Sequence, residues 1–77
     1  MFGNKITKTI FIKGMSCGHC SKRVEDALKS VNGVKSVSVS LDDKKAEVVL
    51  KADIDNEILK IAVEDVGFEV VDIKIDN

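Results

Sequence analysis

Apolar positions recur along this chain with a two-residue period in some stretches and a helical period in others. From Lys5 to Lys13 the period is two: Ile6, Ile10 and Ile12 share one face of a strand, with Lys8 as a charged exception. Thr7, Thr9 and Phe11 line the opposite face, and Gly14 ends the run. From about His19 to Val31 the period becomes helical. Cys20, Val24, Ala27, Leu28 and Val31 form one stripe, while Lys22, Arg23, Glu25, Asp26 and Lys29 take the remaining surface. Asn32-Gly33 follows, two residues that accept the left-handed conformation of a helix C-terminal cap.

Val34 to Leu41 alternates again, with Val37, Val39 and Leu41 on one face and Ser36, Ser38 and Ser40 on the other. Across the polar turn Asp42-Asp43-Lys44, a strand from Lys45 to Lys51 places Ala46, Val48 and Leu50 together, which predicts a hairpin. Asp55 is an N-cap candidate for a second helix, and Ile54 and Leu59 stand at the positions of a hydrophobic staple. That helix is expected to reach about Val66, with Leu59, Ala62, Val63 and Val66 inward and Ile58 and Ile61 widening the apolar arc. Gly67 ends it, and Glu69 to Ile75 is the last strand, with Val71, Ile73 and Ile75 aligned.

The predicted order is βαββαβ. Alternating strands beside two helices with one apolar stripe each are stable when both helices cover the same sheet face. With right-handed crossovers this gives an α+β fold of the ferredoxin-like, split βαβ kind: a four-stranded antiparallel sheet under two helices. At 77 residues, residues 1–77 form a single domain. A core of that size contributes only roughly 3–5 kcal/mol net, so a bound metal matters to its stability.

Charge narrows the partners. Charged residues make up 32% of the chain but nearly cancel, leaving a net charge of −1, which argues against nucleic acid. No apolar run approaches the ~20 residues that cross a bilayer, so no membrane insertion is expected. Met1 to Lys5 shows no signal-peptide pattern, which makes the cytoplasm the default compartment. Thiols stay reduced there, and a close cysteine pair is more often a metal or redox site than a structural disulfide.

The chemistry concentrates in Gly14-Met15-Ser16-Cys17-Gly18-His19-Cys20, which holds both cysteines and the single histidine. Four readings apply to Cys17 and Cys20. As a metal site, the loop holds Cys17 and the first helical turn holds Cys20, where unpaired N–H groups and the helix dipole favour negative charge. Lys22 and Arg23 add positive charge, so a thiolate forms more readily than in a free cysteine. Two thiolates suit a soft ion of low coordination number, Cu(I) above all; structural zinc needs four ligands and an iron–sulfur cluster about four cysteines. The second reading is a dithiol oxidoreductase, which also carries Cys-x-x-Cys at a strand–helix junction. The absence of Pro and Trp counts against it. A structural disulfide would close a very short loop and constrain little of the unfolded chain. Two incidental cysteines remain the fourth reading.

Taken whole, the heptapeptide resembles the Gly-Met-x-Cys-x-x-Cys signature of the heavy-metal-associated domain family. The likeness continues at Asn32-Gly33-Val34 and in the run Ala62 to Val70, and covers about Lys8 to Ile75. The resemblance implies the same βαββαβ fold and one Cu(I) per monomer, or another soft ion such as Hg(II), Cd(II) or Zn(II), bound by Cys17 and Cys20. It also implies that Met15 anchors the loop in the core rather than binding metal. His19 is read as solvent-facing or as an outer neighbour of the ion, and Ser16 stands where zinc- and lead-exporting relatives often carry Asp. Phe68 is expected to pack beside the metal loop; Phe there is similar to ATPase metal-binding domains, whereas many bacterial chaperones carry Tyr. Lys22, Arg23 and Lys29, set against Glu64, Asp65 and Glu69, are read mainly as a solvated face and secondarily as a docking surface.

Together these point to a cytosolic copper chaperone rather than an enzyme. It would pass Cu(I) by thiolate exchange to a metal-binding domain of a copper-transporting P-type ATPase, with a copper-bridged homodimer permitted by the exposed site. The alternatives are a metal-binding module of such an ATPase, a mercury- or zinc-binding relative, and the oxidoreductase. A start at Met1 and a short tail are expected of a free-standing chain.

Overall fold

The computed structural model describes residues 6–16 and 18–76. The elements run β1 (Ile6–Lys13), α1 (Gly18–Lys29), β2 (Val34–Ser40), β3 (Lys45–Leu50), α2 (Asn56–Asp65) and β4 (Glu69–Asp76). The four strands form one sheet in the order β2-β3-β1-β4, every pair antiparallel. This is the expected ferredoxin-like arrangement. β1 and β3 lie in the middle and carry the most continuous apolar faces.

The core lies between the sheet and both helices. Ile10 and Ile12 of β1, Ala46, Val48 and Leu50 of β3, Val24 and Leu28 of α1, and Leu59 and Val63 of α2 are all buried in it. Cys20, Val31, Val37, Val39 and Ala62 pack against this cluster, so most of each predicted helical stripe faces inward, while Ala27 and Val66 are half-buried at its margins. Ile58 and Ile61, at the edges of the apolar arc of α2, are 48% and 57% exposed.

Helix ends differ from the sequence reading by short local closures. α1 stops at Lys29, before Val31, because Val31 N–H turns to the Leu28 carbonyl in a tighter turn and Ser30 Oγ donates to the Ala27 carbonyl. Gly33 then takes φ +96°, and a Cβ there would stand 3.0 Å from Ile54 Cδ1, so another residue would strain the backbone and push on the Ile54 side chain. α2 ends at Asp65, one residue before Val66. Phe68 N–H reaches the Val63 carbonyl at 3.4 Å and Gly67 N–H the Glu64 carbonyl at 3.0 Å, the paired bonds of a Schellman cap.

Two expectations are corrected outright. Asp55 occupies the N-cap position of α2, but its side chain makes no capping bond. Stabilisation comes from the sheet instead. Lys8, the charged exception on the apolar face of β1, is only 3% exposed; its ammonium donates to the Ile54 carbonyl at 2.6 Å and to Asn56 Oδ1 at 2.7 Å, with Asp53 Oδ1 at 3.9 Å. The cation therefore holds the chain where it enters α2. Lys8→Met should lower the free energy of unfolding by about 1–3 kcal/mol, because it leaves the Ile54 carbonyl without its donor. Urea denaturation reads this directly, and an unmoved midpoint would show that the clamp adds no net stability.

The second correction concerns β4. Val71 does not share the face of Ile73 and Ile75, which stand opposite Ile10 and Lys8, because the ladder between β1 and β4 shifts between Phe11 and Ile12. Phe11 pairs with Asp72 and Ile12 with Val70, which leaves Val71 as the extra residue of a β-bulge. Val70 and Ile73 pack on the core, while Val71 is turned out at 64% exposure. Strict alternation cannot register an inserted residue, so the sequence pattern missed it.

Candidate metal centre

β1 delivers the chain to the loop at Gly14, whose φ of +102° turns it off the sheet. Met15 then drops into the core at 6% exposure, as expected of an anchor, so its thioether sits among aliphatic side chains. Ser16 is exposed, and α1 begins at Gly18. Burying Met15 between two exposed neighbours pins the loop by one side chain and leaves Gly14 and Ser16 at the surface. Cys17 falls outside the described residues, so its expected role as a ligand rests on its place in the sequence.

Cys20 lies in the first turn of α1, half-buried and packed against the core. The first turn of α1 contains no acidic residue, and Ser21 Oγ donates back to the Gly18 carbonyl at 2.8 Å. Backbone N–H groups of a helical first turn have no carbonyl partners within the helix, and the dipole's positive end adds to them. A sulfur held there is in a favourable place to carry negative charge. His19 is exposed between the two cysteine positions. Among the described residues no group of three or more His, Cys, Asp and Glu side chains is placed to hold a metal. Whatever Cys20 binds is therefore not drawn into a larger ligand cage built from those residues.

The loop between α2 and β4 abuts this region. A Cβ on Gly14 would lie 3.6 Å from Phe68 Cδ1, so the Phe68 ring covers Gly14 while its other side packs on the core. The same Schellman cap that ends α2 aims Phe68 here. Lys22 and Arg23 are exposed on α1, and Lys29 pairs with Glu25 at 3.2 Å one turn earlier. Glu64, Asp65 and Glu69 are exposed near the end of α2, so the two-signed surface anticipated from the sequence is solvated throughout. Such an exposed i,i+4 pair contributes only about 0.3–0.5 kcal/mol.

Residues 9–69 match the family model of the heavy-metal-associated domain. The chain belongs to the heavy-metal-associated domain family. It is 42% identical over 66 residues to the copper chaperone CopZ of Staphylococcus haemolyticus, a match that covers 84% of this chain and 97% of that protein. It is 46% identical over 59 residues to a copper-transporting ATPase of Arabidopsis thaliana, covering 75% of this chain but 6% of the ATPase. Among solved structures, a copper-binding domain from a P-type ATPase superposes with a TM-score of 0.78 at 37% identity, covering 94% of this chain and 95% of that one. The family thus comprises free-standing chains as well as small parts of large transporters, and this fold serves both. No helix of the described residues is long and apolar enough to cross a membrane.

Proposed function

We propose that this chain is a cytoplasmic copper chaperone that carries one Cu(I) ion on Cys17 and Cys20 and hands it to a metal-binding domain of a copper-transporting P-type ATPase. The observation that carries this reading is the near end-to-end match with the copper chaperone from Staphylococcus haemolyticus, which spans 97% of that protein. The position of Cys20 supports it chemically: a sulfur at a helix N-terminus beside an exposed loop is disposed to ionise and open to a second protein.

Two thiolates leave a Cu(I) ion coordinatively open, so an incoming partner thiolate adds before a resident one leaves. Each exchange forms one Cu–S bond and breaks another. The ion stays Cu(I), and copper is at no point released to water. The protein's part is to hold Cys20 on a rigid helix, to pin the loop through Met15, and to shield one side with Phe68. This is binding and transfer rather than catalysis on a substrate. The 46% identity to the Arabidopsis ATPase favours a second reading, a metal-binding module of a transporter, in which the same two sulfurs receive copper instead of delivering it.

Anaerobic Cu(I) titration against a chromophoric chelator tests the proposal. One equivalent should be withdrawn from the chelator per chain, and zinc supplied in excess should not displace it. Failure to compete, or preferential retention of zinc, would sink the copper assignment. Transfer is read separately, by mixing the loaded chain with a purified ATPase metal-binding domain and following which protein elutes with copper.

A further inference from the structure

The helix-free face of the sheet holds a groove of about 430 Å³ at the end of β1 that leads into the metal loop. Phe11 and the last residues of β1 form its floor. The turn between β2 and β3, at Asp43 and Lys44, makes one wall, and the bulged part of β4 makes the other. Both walls are fixed by backbone geometry. Ile12 N–H donates to the Lys44 carbonyl at 2.9 Å, tying the turn to β1, and Lys44 itself adopts φ +55°. Across the groove, the bulge turns Val71 out of the ladder, which places an apolar side chain on a face that β2 otherwise furnishes with serines and β1 with threonines. A bulge re-aims a side chain at the cost of a regular ladder.

The charges around the groove are not equivalent. Its two carboxylates are engaged by their own chain: Asp43 Oδ2 accepts from Ser40 Oγ at 3.2 Å, and Asp72 Oδ1 accepts from the Ile73 N–H at 2.9 Å. The three ammonium groups are not matched by carboxylates. Lys74 Nζ lies 5.6 Å from the centroid of the Phe11 ring, and neither Lys13 nor Lys44 forms an ion pair among the described residues. Glu69 stands opposite Lys13 in the ladder without pairing with it. The groove therefore combines an apolar floor with a rim of three lysines and two aspartates, an excess of one positive charge on a chain whose net charge is −1, and none of the three lysines is held in an ion pair among the described residues.

We propose that this groove docks an extended acidic segment of a partner protein. One apolar side chain of the segment sits between Phe11 and Val71, and flanking carboxylates meet Lys13, Lys44 and Lys74. The complementarity is of charge, through the unpaired lysines, and of apolar contact, through Phe11 and Val71. The depression is open and runs between the turn and the bulge, so an extended peptide can lie along it. Lys13 directly precedes Gly14, so a segment seated here lies beside the loop without using either cysteine. The inference thus stands apart from the identity of the metal.

The test uses the full chain, labelled with nitrogen-15, and an acetylated, amidated peptide of sequence Asp-Glu-Leu-Asp-Glu. Amide shifts should concentrate at Phe11, Lys13, Lys44 and Val71 to Lys74, and the affinity should fall as added salt shortens the Debye length. Val71→Asp and Lys44→Glu should each weaken binding by about tenfold, since each sets a negative charge against the peptide. Both positions are exposed, so circular dichroism should match the parent. Equal binding of the Asn-Gln-Leu-Asn-Gln peptide would overturn the proposal, as would shifts confined to α1 and α2 or none at millimolar peptide. Co-sedimentation with phosphatidylserine vesicles while the acidic peptide stays inert would also overturn it, in favour of a membrane surface.

Discussion

Cys20→Ser, and separately Cys17→Ser, should abolish high-affinity Cu(I) binding while leaving the fold intact. A serine hydroxyl is a hard donor with little affinity for Cu(I), so each variant keeps only one thiolate where the ion needs two. The loss should exceed the roughly 10–100-fold drop typical when only an outer neighbour of a metal ligand is altered. Serine is close in size to cysteine, and Cys20 is half-buried at the margin of the core, so the helix should form as before. Competition with a Cu(I) chelator measures the affinity, and the amide spectrum of the apoprotein reports the fold. Met15→Leu supplies the contrast. Its thioether lies in the core at 6% exposure, and a volume-conserving swap there costs less than about 1.5 kcal/mol, so copper affinity should be unchanged. A cysteine variant that retains full affinity, or a Met15→Leu protein that loses it, would show that the ligands have been misassigned.

Leu59→Ala should bring the domain to the edge of unfolding. Leu59 is fully buried on α2 within the central cluster. Truncating a buried leucine costs about 2–5 kcal/mol through lost transfer energy and the cavity left behind. A domain of this size has roughly 3–5 kcal/mol in hand, so the two quantities are comparable. Thermal unfolding should therefore begin near room temperature in the apoprotein, and metal binding to the native state should restore part of the loss by mass action. Ile61→Ala on the same helix is 57% exposed at its native side chain, so its stability should stay within about 0.5 kcal/mol of the parent. If both variants unfolded alike, the inward face of α2 would have been misjudged.

The difference between these two isoleucine and leucine positions shows where sequence pattern stops. Leu59, Ile58 and Ile61 are equally apolar, and periodicity puts Leu59 on the inner stripe with Ile58 and Ile61 at the edges of a broad arc. Only the positions of α1 and the sheet decide that the cover stops short of those edges. The same holds for Lys8. Its charge on an apolar face looked like an exception to the alternation, yet the cation reaches the entry of α2, 46 residues further along the chain, and replaces the cap that Asp55 does not provide.

The sequence signals that propose the site are local. Cys-x-x-Cys, the glycine that turns the chain off β1, and the onset of helical period all fall within seven residues, Gly14 to Cys20. Contact between that loop and Phe68 was also anticipated, through the family resemblance, and Phe68 does stand against Gly14. The groove beside it was not. It depends on an inserted residue in β4 and on a backbone bond from Ile12 to the turn at Lys44, neither of which leaves a trace in residue types.

By itself the sequence determined the order of the elements, most of their inward positions and the segment that holds both cysteines, because side-chain period and turn chemistry act over a few residues. Tertiary structure alone decided the strand register, the outward turn of Val71, the clamp at Lys8 and the exposure of Ile58 and Ile61. Those features are set by contacts between segments far apart in the chain. Packing selects among arrangements that local preference leaves equal in energy.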